Sequence, residues 1–175
     1  MPKDYNSFTD VATGDVYSAA SHNLILENIN NYRVPPMCKA RRTTTQSIPN
    51  GAATSIQLNA TDAFDTDTMH DTVTSDTRIT VNTAGIYLVQ GNLSFVTSAT
   101  GSYRLIGINK NGVELVSANF GAGTDKRCSI AYVDAAASAS DYYELWAYQD
   151  SGGALNVTPL GNAIELSVVW LGQAS

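Results

Sequence analysis

Residues 78–96, RITVNTAGIYLVQGNLSFV, contain two β-strand patterns joined by a short turn of small residues. In the second pattern Tyr87, Val89 and Leu93 fall on one face, and polar residues alternate with them. A period of two residues is typical of strands with one buried face. Gly91 falls on the apolar face, which predicts a bulge, a bend or a close approach by another backbone. We expect this stretch to form the centre of a β-sheet protein.

The length and composition of the chain limit the kinds of protein that it can be. A chain of 175 residues is long enough for one domain with a core of its own. Only 15% of its residues are charged, and its many small polar and β-branched residues suit extended structure. The formal net charge of -6 argues against a nucleic-acid partner, because binding phosphates requires a basic face. No stretch has the roughly 18 apolar residues of a membrane span, so we expect no membrane partner.

Cys38 and Cys128 are the two cysteines of the chain. One pair so far apart in sequence can form a single disulfide but is not a disulfide framework. Free cysteine is among the residues most often buried in proteins. Two buried thiols are therefore the prediction that the composition favours, and a disulfide is the alternative.

Residues 1–37 differ from the rest and predict an N-terminal arm that contains a short helix. Ser18 or Ser21 is suited to cap that helix, and Pro35 and Pro36 then force an extended exit. A helix of about three turns is marginal alone in water, so its apolar face must dock. It either covers its own domain or attaches the domain to another protein. The apolar residues of that face are Ile25, Ile29 and Tyr32.

Residues 38–175 predict one all-β domain, with turn signals at the intervals expected of a sandwich or barrel. The dipeptide Asn111-Gly112 predicts a two-residue hairpin, because both residues tolerate the positive φ angles of a type I′ turn. The expected strands are residues 38–47, 55–58, 78–81, 85–97, 103–109, 113–119, 127–133, 142–149 and 163–171.

The last predicted strand is apolar on both faces near its end. Alternate residues from Ile164 to Trp170 form one apolar face, while Val169 and Leu171 make the end of the other face apolar. A sheet buries its second face only against another layer. This pattern predicts either a subunit interface or a surface that the N-terminal helix covers.

Catalytic motifs are sparse. His22 and His70 are the two histidines, and they fall in different predicted elements. We find no nucleophile elbow, zinc-ligand spacing or phosphate-binding loop in the sequence. We therefore expect a protein without enzymatic activity and without a cofactor.

Four carboxylates crowd into residues 62–71, and Asp62, Asp65 and Asp67 are the candidate ligands for a calcium ion. Calcium takes about six to eight oxygen ligands, which such a segment can supply in part. The spacing does not continue into a calcium-binding loop, because His70 stands where the glycine of that loop belongs. A solvated acidic loop is the interpretation that composition favours.

Lys39, Arg41 and Arg42 form the one basic cluster of the sequence. Lysine and arginine commonly protect the edge of a sheet, so a solvated strand edge is the simpler interpretation. The alternative is a docking site for an acidic partner surface, where such charges steer association.

Several motifs, taken in order, resemble the globular-head domain of complement component one q, within the tumour necrosis factor-like jelly-roll superfamily. They are Phe64, Gly85-Ile86-Tyr87, the strand from Asp141 to Leu145 and the strand from Ser167 to Leu171. The resemblance runs from about residue 40 to residue 171 and implies a jelly-roll β-sandwich that assembles as a homotrimer. Positions on the strand faces opposite the core are expected to face the three-fold axis: Leu88, Asn92, Val169 and Leu171.

The sequence has no collagen-like stalk and no signal peptide, and it looks similar to variants of this domain in tailed-bacteriophage structural proteins. Residues 14–31 are similar to leader segments of phage virion proteins. The resemblance implies a virion protein, made in the host cytoplasm, that decorates or cements a capsid. A fibre-tip protein that binds a host glycan or protein is the alternative, and a secreted ligand-like domain is a third. The arm residues expected to bind the major capsid protein, or another virion protein, are Ile25, Ile29, Tyr32, Arg41 and Arg42.

Overall fold

The computed structural model describes residues 18–123, 126–159 and 164–174. One helix, α1 (Ala19–Arg33), precedes two packed β-sheets. This arrangement confirms the predicted all-β class with a short N-terminal helix. The first 17 residues of the predicted arm lie outside the described residues. Within the described part of the chain, no helix is both long and apolar enough to span a membrane.

Twelve strands follow the helix in the described residues. In chain order they are β1 (Met37–Arg42), β2 (Gln46–Ile48), β3 (Thr54–Ser55), β4 (Ala60–Asp65), β5 (Arg78–Thr80), β6 (Gly85–Phe95), β7 (Ser98–Lys110), β8 (Val113–Gly123), β9 (Lys126–Ala137), β10 (Tyr142–Gln149), β11 (Leu155–Val157) and β12 (Ile164–Gly172).

The strands form a sheet of seven and a sheet of five, and neighbouring strands run antiparallel. The first sheet has the order β2-β11-β6-β12-β1-β4, and β9 also pairs with β6. The second sheet has the order β3-β10-β7-β8, and β5 also pairs with β10. Apolar side chains of both sheets fill the space between them, as the period of two in the long strands predicts.

The central strand β6 buries its predicted apolar face. Tyr87, Val89 and Leu93 are each at most 2% exposed. Gly91 lies between them because the facing sheet leaves no room for a side chain: a Cβ at this position would stand 2.5 Å from Leu145 Cδ1. The close approach is made by a side chain of β10 rather than by another backbone, which corrects the expectation from sequence.

Four segments differ from the strands predicted by sequence. Of the predicted strand 55–58, only Ser55 lies in a strand, the two-residue β3. The predicted strand 38–47 is divided into β1 and β2, and the Arg42 guanidinium binds the carbonyls of Thr44 and Thr45 where the chain turns. The acidic segment, expected to be a loop, begins as strand β4 on the edge of the first sheet. The short strand β11 was not predicted, because its three residues are too few to show the alternation of a strand.

The predicted hairpin between β7 and β8 is confirmed. Asn111 and Gly112 have φ angles of 52° and 79°, which a type I′ turn requires. The Asn111 side chain also donates to Asp141 at 2.7 Å and accepts the Tyr142 backbone N–H at 3.0 Å. These bonds fix the hairpin to the start of β10.

Candidate assembly surfaces and acidic cluster

The outward face of the first sheet carries one row of apolar residues across four strands. Met37 of β1 pairs with Val169 of β12, Val169 with Leu88 of β6, and Leu88 with Val133 of β9. We call these four residues the apolar row. Val133 is 53% exposed and the other three are half-buried. Alternation places these side chains away from the core because the neighbouring residues on each strand point into it.

The predicted axis residues lie on this same face. Leu88 and Val169 belong to the apolar row, and Leu171 follows Val169 on β12 with 52% of its surface exposed. Asn92 lies further along β6, where it donates to the Glu165 carboxylate at 3.2 Å. Lys39 forms a 3.0 Å ion pair with the same carboxylate. The face therefore has an apolar end and a polar end, and whether either contacts another copy stays a prediction.

The helix α1 begins where the sequence predicts a cap. The Ser18 hydroxyl accepts the backbone N–H of Ser21 at 3.1 Å, the bond expected of an N-cap serine. At the other end of the helix, the Tyr32 ring lies 5.8 Å from the Trp170 ring, centroid to centroid. The helix thus contacts the domain near the end of β12.

Much of the apolar surface of the arm nevertheless faces solvent. Of the predicted attachment residues, Ile29 and Tyr32 are exposed and Ile25 is half-buried. Leu26, which widens the predicted apolar stripe of the helix, and Val34 are exposed as well. We call the four exposed residues the arm stripe: Leu26, Ile29, Tyr32 and Val34.

The three residues of the basic cluster do not form one exposed surface. Arg42 is only 8% exposed, and its guanidinium donates to the carbonyls of Thr44, Thr45 and Gln57. These bonds hold the turn after β1, so a docking role for Arg42 does not fit its position. Arg41 is half-buried and donates twice to the Thr61 carbonyl, at 3.1 and 2.8 Å.

The acidic segment brings Asp62 and Asp65 together but not with Asp67. Asp65 accepts the backbone N–H groups of Asp67, Met69 and His70 at 3.0–3.2 Å, so its carboxylate organises the turn after β4. Asp67 points elsewhere and accepts the Thr83 hydroxyl at 3.3 Å. The three predicted calcium ligands therefore do not converge.

A different group of potential ligands does converge there. Cys38 Sγ and one carboxylate oxygen each of Asp62 and Asp65 lie within 4.8 Å of one another. Burial raises the pKa of the Cys38 thiol, and the neighbouring carboxylates of Asp65 and Asp62 raise it further. No local pattern in the sequence predicts this group, because the group depends on the pairing of β1 with β4. Cys38 and Cys128 are both free and buried, which confirms the predicted thiols.

His70 is a buried partner of this group. Its side chain is fully buried, and its Nδ1 lies 2.9 Å from Asp62 Oδ1. Burial raises the pKa of Asp62, although the interaction with His70 opposes that shift. His22, in contrast, is exposed on α1. The absence of enzymatic activity stays a prediction.

A second ionic network ties the two sheets together. Lys110 of β7 contacts Asp134 of β9 at 2.6 Å and Asp141 at 3.0 Å, and the Tyr143 hydroxyl donates to Asp134 at 2.6 Å. Burial would raise the pKa of Asp134, yet the hydrogen bonds from Lys110 and Tyr143 hold it below its ordinary value. The network gives a buried carboxylate several partners, as burial of charge requires.

Comparison with solved structures identifies the fold. Eiger TNF from S. frugiperda superposes with a TM-score of 0.54 at 13% identity, covering 80% of this chain and 94% of that chain. The globular domain of zebrafish complement 1qA gives 0.52 at 11% identity, with 79% and 98% covered. Murine APRIL gives 0.57 at 14% identity, with 78% and 98% covered. No protein-family model and no curated protein sequence matches the chain.

Proposed function

From this jelly roll of the tumour necrosis factor and complement type, we propose that the chain is a homotrimeric, non-enzymatic structural protein of a tailed-bacteriophage particle. It decorates or cements the capsid and is held there by its N-terminal arm. The observation that carries the proposal is the presence of two apolar surfaces outside the core, the half-buried to exposed apolar row and the exposed arm stripe. Two such surfaces suit a protein that binds copies of itself and also binds a partner.

The apolar row supports self-association. It lies on the outward face of the first sheet and is continuous across β1, β12, β6 and β9. Its polar end, with Lys39 bonded to Glu165, supplies the charged rim that interfaces commonly have. A closed trimer would cover the row in every copy, in agreement with the assembly that the superfamily resemblance implies.

The arm stripe supports attachment. Tyr32 touches Trp170, which fixes the direction of the helix, while Leu26 and Ile29 remain exposed for a partner. A trimer would present three such arms to one particle. Linked contacts raise the effective concentration of the second and third arms, so three weak contacts give firm attachment.

Self-association is tested by sedimentation velocity of the full chain at micromolar concentration. We expect a trimer for the natural sequence and a folded monomer for Leu88→Asp combined with Val169→Asp. Val113→Asp is the matched control, because Val113 is a 68% exposed valine at the start of β8, outside the apolar row. A monomeric natural chain would overturn the proposed assembly.

Attachment is tested by counting copies bound to tailed-phage capsids that lack their decoration protein. We expect stoichiometric binding of the natural chain and loss of binding for Leu26→Asp combined with Ile29→Asp. Val73→Asp serves as the control, since Val73 is 82% exposed in the loop before β5. Binding to host cells and not to capsids would replace decoration with receptor recognition.

A further inference from the structure

Cys38, Asp62 and Asp65 bring one sulfur and two carboxylate oxygens to a single place at the edge of the first sheet. Cys38 lies directly opposite Asp65 in the pairing of β1 with β4, and a register shift further along these strands accompanies the approach of Asp62. Their ligand atoms lie within 4.8 Å of one another. The group contains a sulfur ligand as well as oxygen ligands, which distinguishes it from a simple acidic patch.

His70 supplies a nitrogen beside this group. Its side chain has no exposed surface, its Nδ1 is 2.9 Å from Asp62 Oδ1, and its Nε2 has no hydrogen-bond partner among the described residues. The nitrogen that contacts the group is Nδ1, and not the unpaired Nε2. The ring therefore lies beside a carboxylate that is itself one of the converging ligands.

The carboxylates at this place are compensated only in part, by Arg41 near Asp62 and by the backbone N–H groups that bind Asp65. In the described part of the chain, the ion pairs of Asp62 and Asp65 include His70 but no lysine or arginine. Two carboxylates beside a buried thiol are unfavourable unless a positive charge balances them. Asp62 keeps 16% of its side chain exposed, which leaves a path for a small cation from solvent.

We propose that Cys38, Asp62, Asp65 and His70 bind a divalent transition-metal ion of the zinc type. Cys38 Sγ and one oxygen of each carboxylate are three ligands, and His70 Nδ1 exchanges its hydrogen bond with Asp62 for the fourth position. Tetrahedral ligands about 2.0–2.3 Å from zinc lie roughly 3.3–3.8 Å apart, so small side-chain movements suffice. A thiolate and an imidazole suit zinc or cobalt, whereas calcium takes oxygen ligands.

The position of the site gives the metal a structural role. Thr66, next to Asp65, accepts the Met37 backbone N–H at 2.9 Å and donates to the Pro35 carbonyl at 2.7 Å. A bound ion would therefore join β4 to the segment where the N-terminal arm meets β1. The inference concerns metal binding alone and does not depend on the proposed attachment to a capsid.

Cobalt is the spectroscopic probe for this site. The full chain, treated with chelator and then dialysed, is titrated with Co²⁺ and followed by absorption. We expect one Co²⁺ per chain, with a sulfur-to-cobalt charge-transfer band in the near ultraviolet that Zn²⁺ removes by displacement. Cys38→Ser should lose that band. Glu114→Gln is the matched control, because Glu114 is an exposed carboxylate on β8, outside the group, and it should leave the spectrum unchanged.

His70→Gln gives a second test that does not involve the thiol. It should keep the sulfur band but weaken Co²⁺ binding by about 10–100-fold, the loss typical of removing one ligand or its support. The unfolding temperature of each chelated variant verifies that it is folded. No cobalt binding by the natural chain, an unchanged band in folded Cys38→Ser, or a thermal shift with Ca²⁺ but not with Zn²⁺ would each overturn the proposal.

Discussion

Gly91 of the first sheet faces Leu145 of the second, and a methyl group on Gly91 would stand 2.5 Å from Leu145 Cδ1. Both residues are buried where the sheets meet. We predict that Gly91→Ala lowers the free energy of unfolding by about 1–3 kcal/mol, because overpacking a close-packed core forces side chains or backbone to move. Chemical denaturation measures the change.

The control for that substitution is Gly121→Ala. A Cβ at Gly121 meets nothing within 4 Å, so this variant should stay within about 0.5 kcal/mol of the natural chain. Adding Leu145→Val to Gly91→Ala should recover part of the loss. Equal stability of Gly91→Ala and the natural chain would mean that Leu145 moves aside freely.

The network of Lys110, Asp134 and Asp141 predicts a particular response to acid. In the folded state the pKa of each carboxyl is below its ordinary value, despite burial, because of the hydrogen bonds it accepts. Their stabilisation is therefore complete above about pH 4 and is lost as the pH falls through the lower folded pKa values. We expect Asp134→Asn to flatten the acid limb of a plot of unfolding temperature against pH.

The same plot for Glu114→Gln is the comparison, since Glu114 is exposed on β8. This variant should follow the natural chain down to acid pH. The difference between Asp134→Asn and the natural chain should be largest near neutral pH and shrink toward pH 2. Parallel curves at every pH would contradict the assignment of the acid response to Asp134.

Arg41 and Arg42 are neighbours in sequence, but their contributions to stability should differ in size. Arg42→Ala should lower the free energy of unfolding by about 2 kcal/mol, because it removes a buried side chain and its charged hydrogen bonds to three carbonyls. Arg41→Ala should cost about 0.5 kcal/mol or less, as is usual for a partly solvated side chain. Urea denaturation measures the free energy of unfolding of both variants. Equal decreases in the two variants would contradict the structural role given to Arg42.

In the metal-free folded protein, the two thiols should be inaccessible to a bulky thiol reagent. Cys38 and Cys128 are fully buried, and burial raises the pKa of Cys38, so little reactive thiolate forms. We predict negligible reaction with a thiol-specific disulfide reagent under native conditions and two reactive thiols in denaturant without reductant. If no thiol reacted in denaturant, the two cysteines would form a disulfide. If the thiols reacted rapidly under native conditions, at least one of them would be exposed.

Strand periodicity predicted the centre of the fold because it is a local property. The alternation through Tyr87 and Val89 and the turn residues Asn111 and Gly112 each depend on neighbours in sequence, and each was confirmed. The edge strand β4 was missed because aspartates are poor strand formers. Its pairing with β1 supplies the stability that its own residues lack.

The candidate sites were less predictable, since they depend on register and on side-chain direction. Nothing local in the sequence places Cys38 opposite Asp65, or turns Asp67 away from the other two carboxylates. The burial of Arg42 likewise follows from the turn that its guanidinium closes. Leu88 and Val169 were selected correctly as outward residues because alternation alone determines their face.

The helix α1 meets the domain near the end of β12, where Tyr32 contacts Trp170 and Met37 pairs with Val169. The turn at Gly152 and Gly153 follows β10 at the opposite end of the sandwich, and a Cβ at either glycine meets open space. A foreign peptide inserted between these glycines would therefore project away from the arm. An inserted peptide and the N-terminal helix would thus occupy opposite ends of the sandwich and would not compete for the same space.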